Sequence, residues 1–337
     1  MKLLDCTLRD GANVIGNGFP ADLTRMMIEH LIEANIPLIE MGNCLGIGAY
    51  EADQSHAPLT DGEYGDLITP YRDRAEIGMF VGWKNAGDAE IQLAVDKGLH
   101  FLRVGANAGD GAQAVAAIKR IKAAGLTCRY SMMKGYICSA SDLAMEAAML
   151  AAAGLDEVTL MDSAGTMLPA EVHAYVTALT AAVDIPVGFH GHNNLGLSVA
   201  NALSAAAAGA AVLDCGLMGM ARSAGNLPTE VAVAVFQRQR QLMEVDGLHL
   251  LHFIDDQLAP AMKKYDYRSP ITPLDVVYGL AGCHSSFAAR FEKVAAEKKV
   301  DLYRLIIAVS REDRKAPSLE LIERVADQLV EDGSAER

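Results

Sequence analysis

The feature that most constrains this chain is an alternation. Short apolar runs are separated by longer stretches rich in alanine, lysine and glutamate, and the pattern repeats eight times before Met243. The runs read as strands at residues 3–8, 37–42, 76–81, 100–105, 127–133, 157–162, 186–190 and 211–217. Helical patterns lie between them at 21–34, 88–97, 111–124, 140–153, 169–183 and 198–208, with Asp22 the expected cap of the first. Gly98, Gly125, Gly154 and Gly209 stand just before the next strand, where a left-handed residue would end each helix. Near-continuous apolar strands alternating with helices imply a parallel sheet covered by helices, and eight such units suit a closed (β/α)₈ barrel. A doubly wound nucleotide-binding sheet fits less well, because no glycine-rich fingerprint follows the first strand. Beyond Met243 the pattern becomes all-helical: 248–264, a turn-rich connection at 265–273, then 274–282, 285–298, 301–310 and 318–331. The expected organisation is an α/β TIM barrel over 1–247, a small helical domain over 248–331, and a disordered tail at 332–337.

Chemistry first shows in Gly188-Phe-His190-Gly-His192-Asn-Asn-Leu-Gly196. Side chains two apart on a strand share a face, so His190 and His192 project together, with Gly191 leaving room. Alone, the pair reads equally well as two polar histidines at a strand end. The scaffold changes the balance, because active sites of such barrels lie at the C-terminal ends of the strands. Arg9-Asp10-Gly11 reaches the same rim from the first strand, which makes Asp10 a natural third ligand. One carboxylate and two neutral imidazoles would hold a divalent cation with positions open for a 2-oxo acid. That donor set favours Mn²⁺ or Mg²⁺, with Co²⁺ or Zn²⁺ possible. Arg9 would aim an always-charged donor at a developing enolate oxygen. Glu40 reads either as a pocket carboxylate or a satisfied barrel-layer residue. Arg103 reads either as a carboxylate binder or a core ion pair.

A net charge of −14 argues against a nucleic-acid partner. Six cysteines without a CxxC pair fit reduced, buried thiols of a cytoplasmic protein. No uncharged apolar stretch is long enough to span a bilayer, so no membrane association is expected.

Asp5-Cys-Thr-Leu-Arg-Asp-Gly11 together with His190-Gly-His192-Asn-Asn-Leu resembles the DRE-TIM metallolyases, a hydroxymethylglutaryl-CoA-lyase-like family. Within it the chain looks most like the 4-hydroxy-2-oxovalerate aldolases. The likeness runs through Val158–Leu168, Gly188–Ala200 and Leu217–Glu230, and into Gly282-Cys-His-Ser-Ser-Phe287 of the tail. It implies that Asp10, His190 and His192 bind the metal, that Arg9 stabilises the enolate, and that Ser163 and Asn226 line the substrate pocket. Two positions depart from the aldolase pattern. Asn13 stands where those enzymes carry a histidine base, and His284 where they carry a tyrosine. An amide takes no proton at neutral pH, so Asn13 can only orient. His284 titrates in a useful range and is the candidate acid/base; a metal-bound water, Tyr130 and Lys134 are the other candidates.

The implied reaction cleaves or forms the C3–C4 bond of a 4-hydroxy-2-oxo acid, giving pyruvate and an aldehyde through a metal-held enolate. The rivals are a Claisen-type acyl-CoA synthase or lyase of the same superfamily, and a non-catalytic partner-binding subunit. The likeness also implies a communication-type C-terminal domain that meets an acylating aldehyde dehydrogenase, or that makes a homodimer.

Overall fold

The computed structural model describes residues 1–267 and 273–332. Eight parallel strands close into a barrel in sequence order. They are β1 (Lys2–Asp5), β2 (Leu38–Met41), β3 (Glu76–Gly82), β4 (Phe101–Asn107), β5 (Thr127–Met133), β6 (Glu157–Asp162), β7 (Val187–Gly191) and β8 (Val212–Cys215). β8 closes the ring on β1, pairing Lys2 with Val212 through to Asp5 with Cys215. The surrounding helices are α1 (Ala21–Glu33), α2 (Asp61–Leu67), α3 (Asp88–Lys97), α4 (Val115–Ala123), α5 (Ala140–Ala152), α6 (Pro169–Ala182), α7 (Ser198–Ala207) and α8 (Thr229–Arg238).

The eight expected strands are all present; β5 and β6 match to the residue, and the other six are shifted at one or both ends. β1 stops at Asp5 rather than residue 8 because Asp5 Oδ1 accepts the Thr7 amide at 2.9 Å and turns the chain. The amides of Arg9, Asp10 and Gly11 then all converge on the Cys6 carbonyl. Gly98, Gly125, Gly154 and Gly209 have φ of 71°, 83°, 100° and 99°, as their place before a strand requires. Asp22 is not the cap of α1; Pro20 holds that position, without a side-chain bond. Two helices lay outside the expected pattern. α2 opens on a capping box between Thr60 and Glu63, a Thr-x-x-Glu signal that the sequence does contain. α8 follows Pro228 and carries Thr229, Ala232, Val233 and Phe236 on its buried face.

The barrel interior is layered by strand alternation. Leu38, Phe101 and Val212, with Leu4 and Cys6, form an apolar floor. Two residues further along the same strands come Glu40, Arg103 and Asp214, all buried. Charge therefore sits directly above the apolar plug, on the side where the strands end. Gly78 makes room for the floor, since a Cβ there would lie 2.4 Å from both the Phe101 ring and the Phe101 carbonyl oxygen. Outside the strands, Ile28, Ile118, Leu143 and Val176 belong to the main core. All six cysteines are free thiols, and only Cys138 is less than buried.

After the barrel the expected helix at 248–264 is broken into α9 (Gly247–Phe253), a π turn (Ile254–Leu258), α10 (Ala259–Met262) and a final 3₁₀ turn (Lys263–Tyr265). Leu250, Phe253, Leu258 and Met262 pack into the barrel's own core. A second, separate core begins at Val277 and includes Tyr278, Phe291, Leu305, Val309 and Ile322. The packing boundary thus falls later than residue 247. This second core is built by α11 (Pro273–Ala281), α12 (Ala288–Lys298), α13 (Leu302–Glu312) and α14 (Leu319–Glu331), with Asp301 and Ser318 capping the last two. Residues 333–337, most of the expected disordered tail, lie outside the described residues.

The Phe101 carbonyl cannot move without breaking the ladder, so Gly78→Ala should cost about 1–3 kcal/mol of stability as an overpacked site. Denaturant unfolding should show a lowered midpoint at unchanged slope.

Candidate active site

Arg9 and Asp10 occupy the turn after β1, and His190 and His192 the end of β7 and the residue beyond it. The two imidazole rings lie with centroids 5.2 Å apart and a 63° angle between their planes. Asp10 Oδ2 is 3.7 Å from His190 Nε2 and 3.9 Å from His192 Nε2. These separations exceed a hydrogen bond and suit donors arranged around a shared cation. All three residues are buried, and their ligand atoms lie within 4.8 Å of one another.

The donor chemistry also fits. His190 Nδ1 donates to Asp214 Oδ2 at 3.0 Å, which fixes the tautomer and leaves the Nε2 lone pair toward Asp10. Burial, with help from His190 and Arg9, pushes the His192 imidazole down to about 4 against the pull of Asp10, so the ring is neutral at pH 7. Burial alone would raise Asp10. The Arg9 guanidinium, the two histidines and the Asn226 amide outweigh it and hold the carboxyl well below its usual range. Asn226 Nδ2 donates to Asp10 Oδ2 at 2.7 Å, while Asn226 Oδ1 is buried without a partner among the described residues.

Beneath the three donors runs a buried ionic chain. Arg9 Nη1 meets Asp10 Oδ1 at 2.9 Å, and Arg9 Nε meets Glu40 Oε1 at 2.6 Å. Arg103 grips both Glu40 oxygens, at 2.6 and 2.8 Å, and reaches Asp214 with its third contact. Glu40 is therefore a barrel-layer residue and Arg103 a core ion pair. Two guanidinium groups face three carboxylates, so one negative charge is left over beside the two imidazoles. Arg9 Nη2 remains a buried donor with no protein partner among the described residues.

Asn13 does not face an empty site. Its Nδ2 donates to the Asp10 carbonyl at 2.8 Å, and its Oδ1 accepts from Arg222 Nε at 2.7 Å. Ser163, in the loop after β6, accepts the Lys134 amide on Oγ at 2.9 Å. His284 comes from the helical domain and sets its ring edge-on to His192, centroids 6.4 Å apart. Its Nδ1 accepts the Ser286 amide at 3.1 Å. Burial, then His192, Arg222 and Lys134, push the ring down to about 3. Tyr130 is excluded as an acid/base group at the mouth, because its hydroxyl turns outward to Glu146 of α5 at 3.3 Å. Lys134 is tied by Nζ to the Lys315 carbonyl, linking the barrel rim to the helical domain. Residue-type patterns singled out neither Asp214 nor Arg222, although Arg222 lies within a stretch that carries the family likeness. His30 and His249, to which the sequence gives no partner, face each other at 3.0 Å on the outer surface of α1 and α9.

The sequence model of the HMGL-like family matches residues 1–256. The 4-hydroxy-2-oxovalerate aldolase 2 of Rhodococcus jostii (strain RHA1) is 31% identical over 330 residues, covering 98% of this chain and 95% of its own length. The 4-hydroxy-2-oxovalerate aldolase of Streptomyces tendae is 31% identical over 331 residues, covering 97% and 90%. Among solved structures, the N-terminal domain of a candidate aldolase from Bacteroides vulgatus superposes with a TM-score of 0.70 at 23% identity, over 88% of this chain and 97% of that one. Pyruvate carboxylase of Rhizobium etli gives a TM-score of 0.80 at 16% identity, over 99% of this chain and 32% of that one. These structural likenesses speak to the fold alone.

Gly165 has φ of 59°, and a Cβ there would lie 2.6 Å from the His192 carbonyl and the Asn194 amide. Gly165→Ala is therefore expected to displace the histidine loop, weakening divalent-metal binding about 10–100-fold, as for a lost supporting contact. Titration calorimetry with Mn²⁺ checks this; unchanged affinity would show that the loop tolerates the shift.

Proposed function

The chain belongs to the HMGL-like family, and on that premise we propose that it is a divalent-metal-dependent lyase acting on a 4-hydroxy-2-oxo acid. It cleaves or forms the C3–C4 bond, with pyruvate and an aldehyde on the other side of the reaction. The observation that carries this reading is the convergence of Asp10, His190 and His192 beside Arg9 Nη2, a buried donor with no protein partner among the described residues. The relatives named 4-hydroxy-2-oxovalerate aldolase support it across nearly the whole chain. Asp10, His190 and His192 would hold the cation, with Mn²⁺ the first choice for one carboxylate and two imidazoles. When bound, the cation supplies Lewis-acid polarisation of the 2-oxo group.

The remaining work falls to the chain's own side chains. As C3–C4 breaks, its electron pair passes to C3 and charge builds on the C2 oxygen. Arg9 Nη2 donates there, its guanidinium already oriented by Glu40 and Asp10 and so needing no reorganisation. Asn226 holds the Asp10 carboxylate in place and, with Ser163, lines the pocket. Asn13 orients without exchanging a proton.

His284 exchanges the proton at the C4 oxygen. With Nδ1 accepting the Ser286 amide, the neutral ring carries its proton on Nε2 and begins as a hydrogen-bond donor, which suits the aldehyde oxygen in the addition direction. In the cleavage direction the ring enters as its other tautomer, with Nδ1–H donating to Ser286 Oγ at 2.8 Å; the unprotonated Nε2 then takes the hydroxyl proton, and the resulting imidazolium returns it to the C4 oxygen in the addition direction.

The same reading takes the C-terminal helices as a communication-type domain, docking an acylating aldehyde dehydrogenase or a second copy of the chain. It also places the protein in the cytoplasm; no described helix is long and apolar enough to cross a membrane.

Purified protein with Mn²⁺ should release pyruvate from a panel of 4-hydroxy-2-oxo acids. CoA release from acyl-CoA plus a 2-oxo acid, without pyruvate, would instead favour a Claisen-type enzyme. Asp10→Ala should lose both metal and turnover. His284→Ala should keep the metal and lose about 10²–10⁴-fold in kcat, the usual worth of a positioned acid/base group. Unimpaired turnover would remove His284 from the chemistry.

A further inference from the structure

Arg222 lies in the loop between β8 and α8, half-buried at the barrel mouth. Its Nε donates to Asn13 Oδ1 at 2.7 Å, and Asn13 in turn donates to the Asp10 carbonyl at 2.8 Å. The next residue, Ser223, adopts φ of 60° and accepts from Asn194 Nδ2 of the histidine loop at 2.7 Å. The guanidinium is thus tied to the turn that carries one candidate ligand, and the residue after it to the loop that carries His192. The terminal nitrogens of Arg222, however, meet no carboxylate among the described residues, whereas the other guanidinium at this mouth, Arg9, is paired with Asp10 and Glu40 and leaves only Nη2 for the 2-oxo acid end. An uncompensated, half-buried cation is unexpected in a chain of net charge −14. Lys134 is a second cation that bears with Arg222 on the His284 ring, against the opposing pull of Asp10.

We propose that Arg222, held in position by Asn13, is the receptor for a second carboxylate, on the aldehyde half of the substrate. This rests on the 2-oxo acid reading and narrows it: the favoured substrates are 4-hydroxy-2-oxo dicarboxylic acids, and the released aldehyde is a semialdehyde carrying a carboxylate. With Nε committed to Asn13, the two terminal nitrogens form a fork suited to planar, bidentate carboxylate recognition. Clamping the stem beforehand reduces the ordering cost of binding. His284 lies edge-on to His192 and within the field of Arg222, so the C4 oxygen of a substrate reaching from the candidate ligands to the fork would pass the imidazole.

The test compares binding, independently of turnover. The Mn²⁺-loaded protein is titrated calorimetrically with 2-oxoadipate and 2-oxoglutarate, and with their monoacid counterparts 2-oxohexanoate and 2-oxopentanoate. The diacids should bind about 10–100-fold more tightly, the range of a charge-assisted bidentate contact. Arg222→Gln should erase that difference, and Arg222→Lys should keep part of it. Thermal unfolding of each variant confirms that it is folded. Equal binding of diacids and monoacids by the unmodified protein would overturn the inference. So would an Arg222→Gln variant that weakens both kinds alike, since Arg222 would then hold the 2-oxo acid end. If neither kind binds, the 2-oxo acid reading itself fails and takes this inference with it.

Discussion

The bidentate grip of Arg103 on Glu40, extended to Asp214, is the contact on which the rest of the mouth depends. A barrel this size must fill its interior, and here the first layer is apolar while the next is ionic. Burying these three charged groups is tolerable only because each is paired, and removing one partner would leave a bare charge in low dielectric. The arrangement also has direction. Glu40 passes its hold to Arg9, and Asp214 passes its hold to His190, so two residues at the rim are oriented from a single guanidinium below them. Arg9 and His190 therefore inherit their orientation from the barrel's own packing.

Much of this was legible in the chain, for reasons that differ by residue. His190 and His192 are two apart on one strand, so their common face follows from alternation alone. Asp10 could be joined to them only through the closed barrel, which brings the first and seventh strands to one rim. Asp214 lies in an apolar strand with no local signal, and its role follows from two partners that are 111 and 24 residues away. Tyr130 shows the limit of the same reasoning: in a strand buried on both faces, nothing local says which side chain meets the barrel interior and which meets the helices. The segment between β2 and β3 hid α2 because only its capping box, not an apolar stripe, announces a helix of seven residues.

The helical domain enters the site rather than merely following it. Gly279 of α11 is seated so closely on the loop after β7 that a Cβ would come within 2.9 Å of Asn194 and 3.0 Å of Leu195. Lys134, at φ of 58°, spends a left-handed conformation to place its ammonium on the Lys315 carbonyl. His284 is delivered to within a ring's width of His192 by the short connection after α11. The barrel supplies the charge layer and the candidate ligands, while the domain above supplies a titratable ring and closes over it. A site divided this way is complete only when the two cores are docked.

Asn13 and His284 were first visible as departures from a pattern, and the structure relates them through Arg222. Asn13 offers an amide oxygen that accepts from a guanidinium while its nitrogen still ties back to the Asp10 backbone, a two-sided role open to an amide and closed to a protonated imidazole. Seating Arg222 there places a permanent cation beside any ring that must exchange protons, which together with burial keeps His284 neutral. The acid/base group and the cation therefore belong to one electrostatic arrangement. The lower layers, which generate and stabilise an enolate, are set by Arg9 and the three donors. What that enolate meets is set one layer higher, where the terminal nitrogens of Arg222 meet no carboxylate among the described residues.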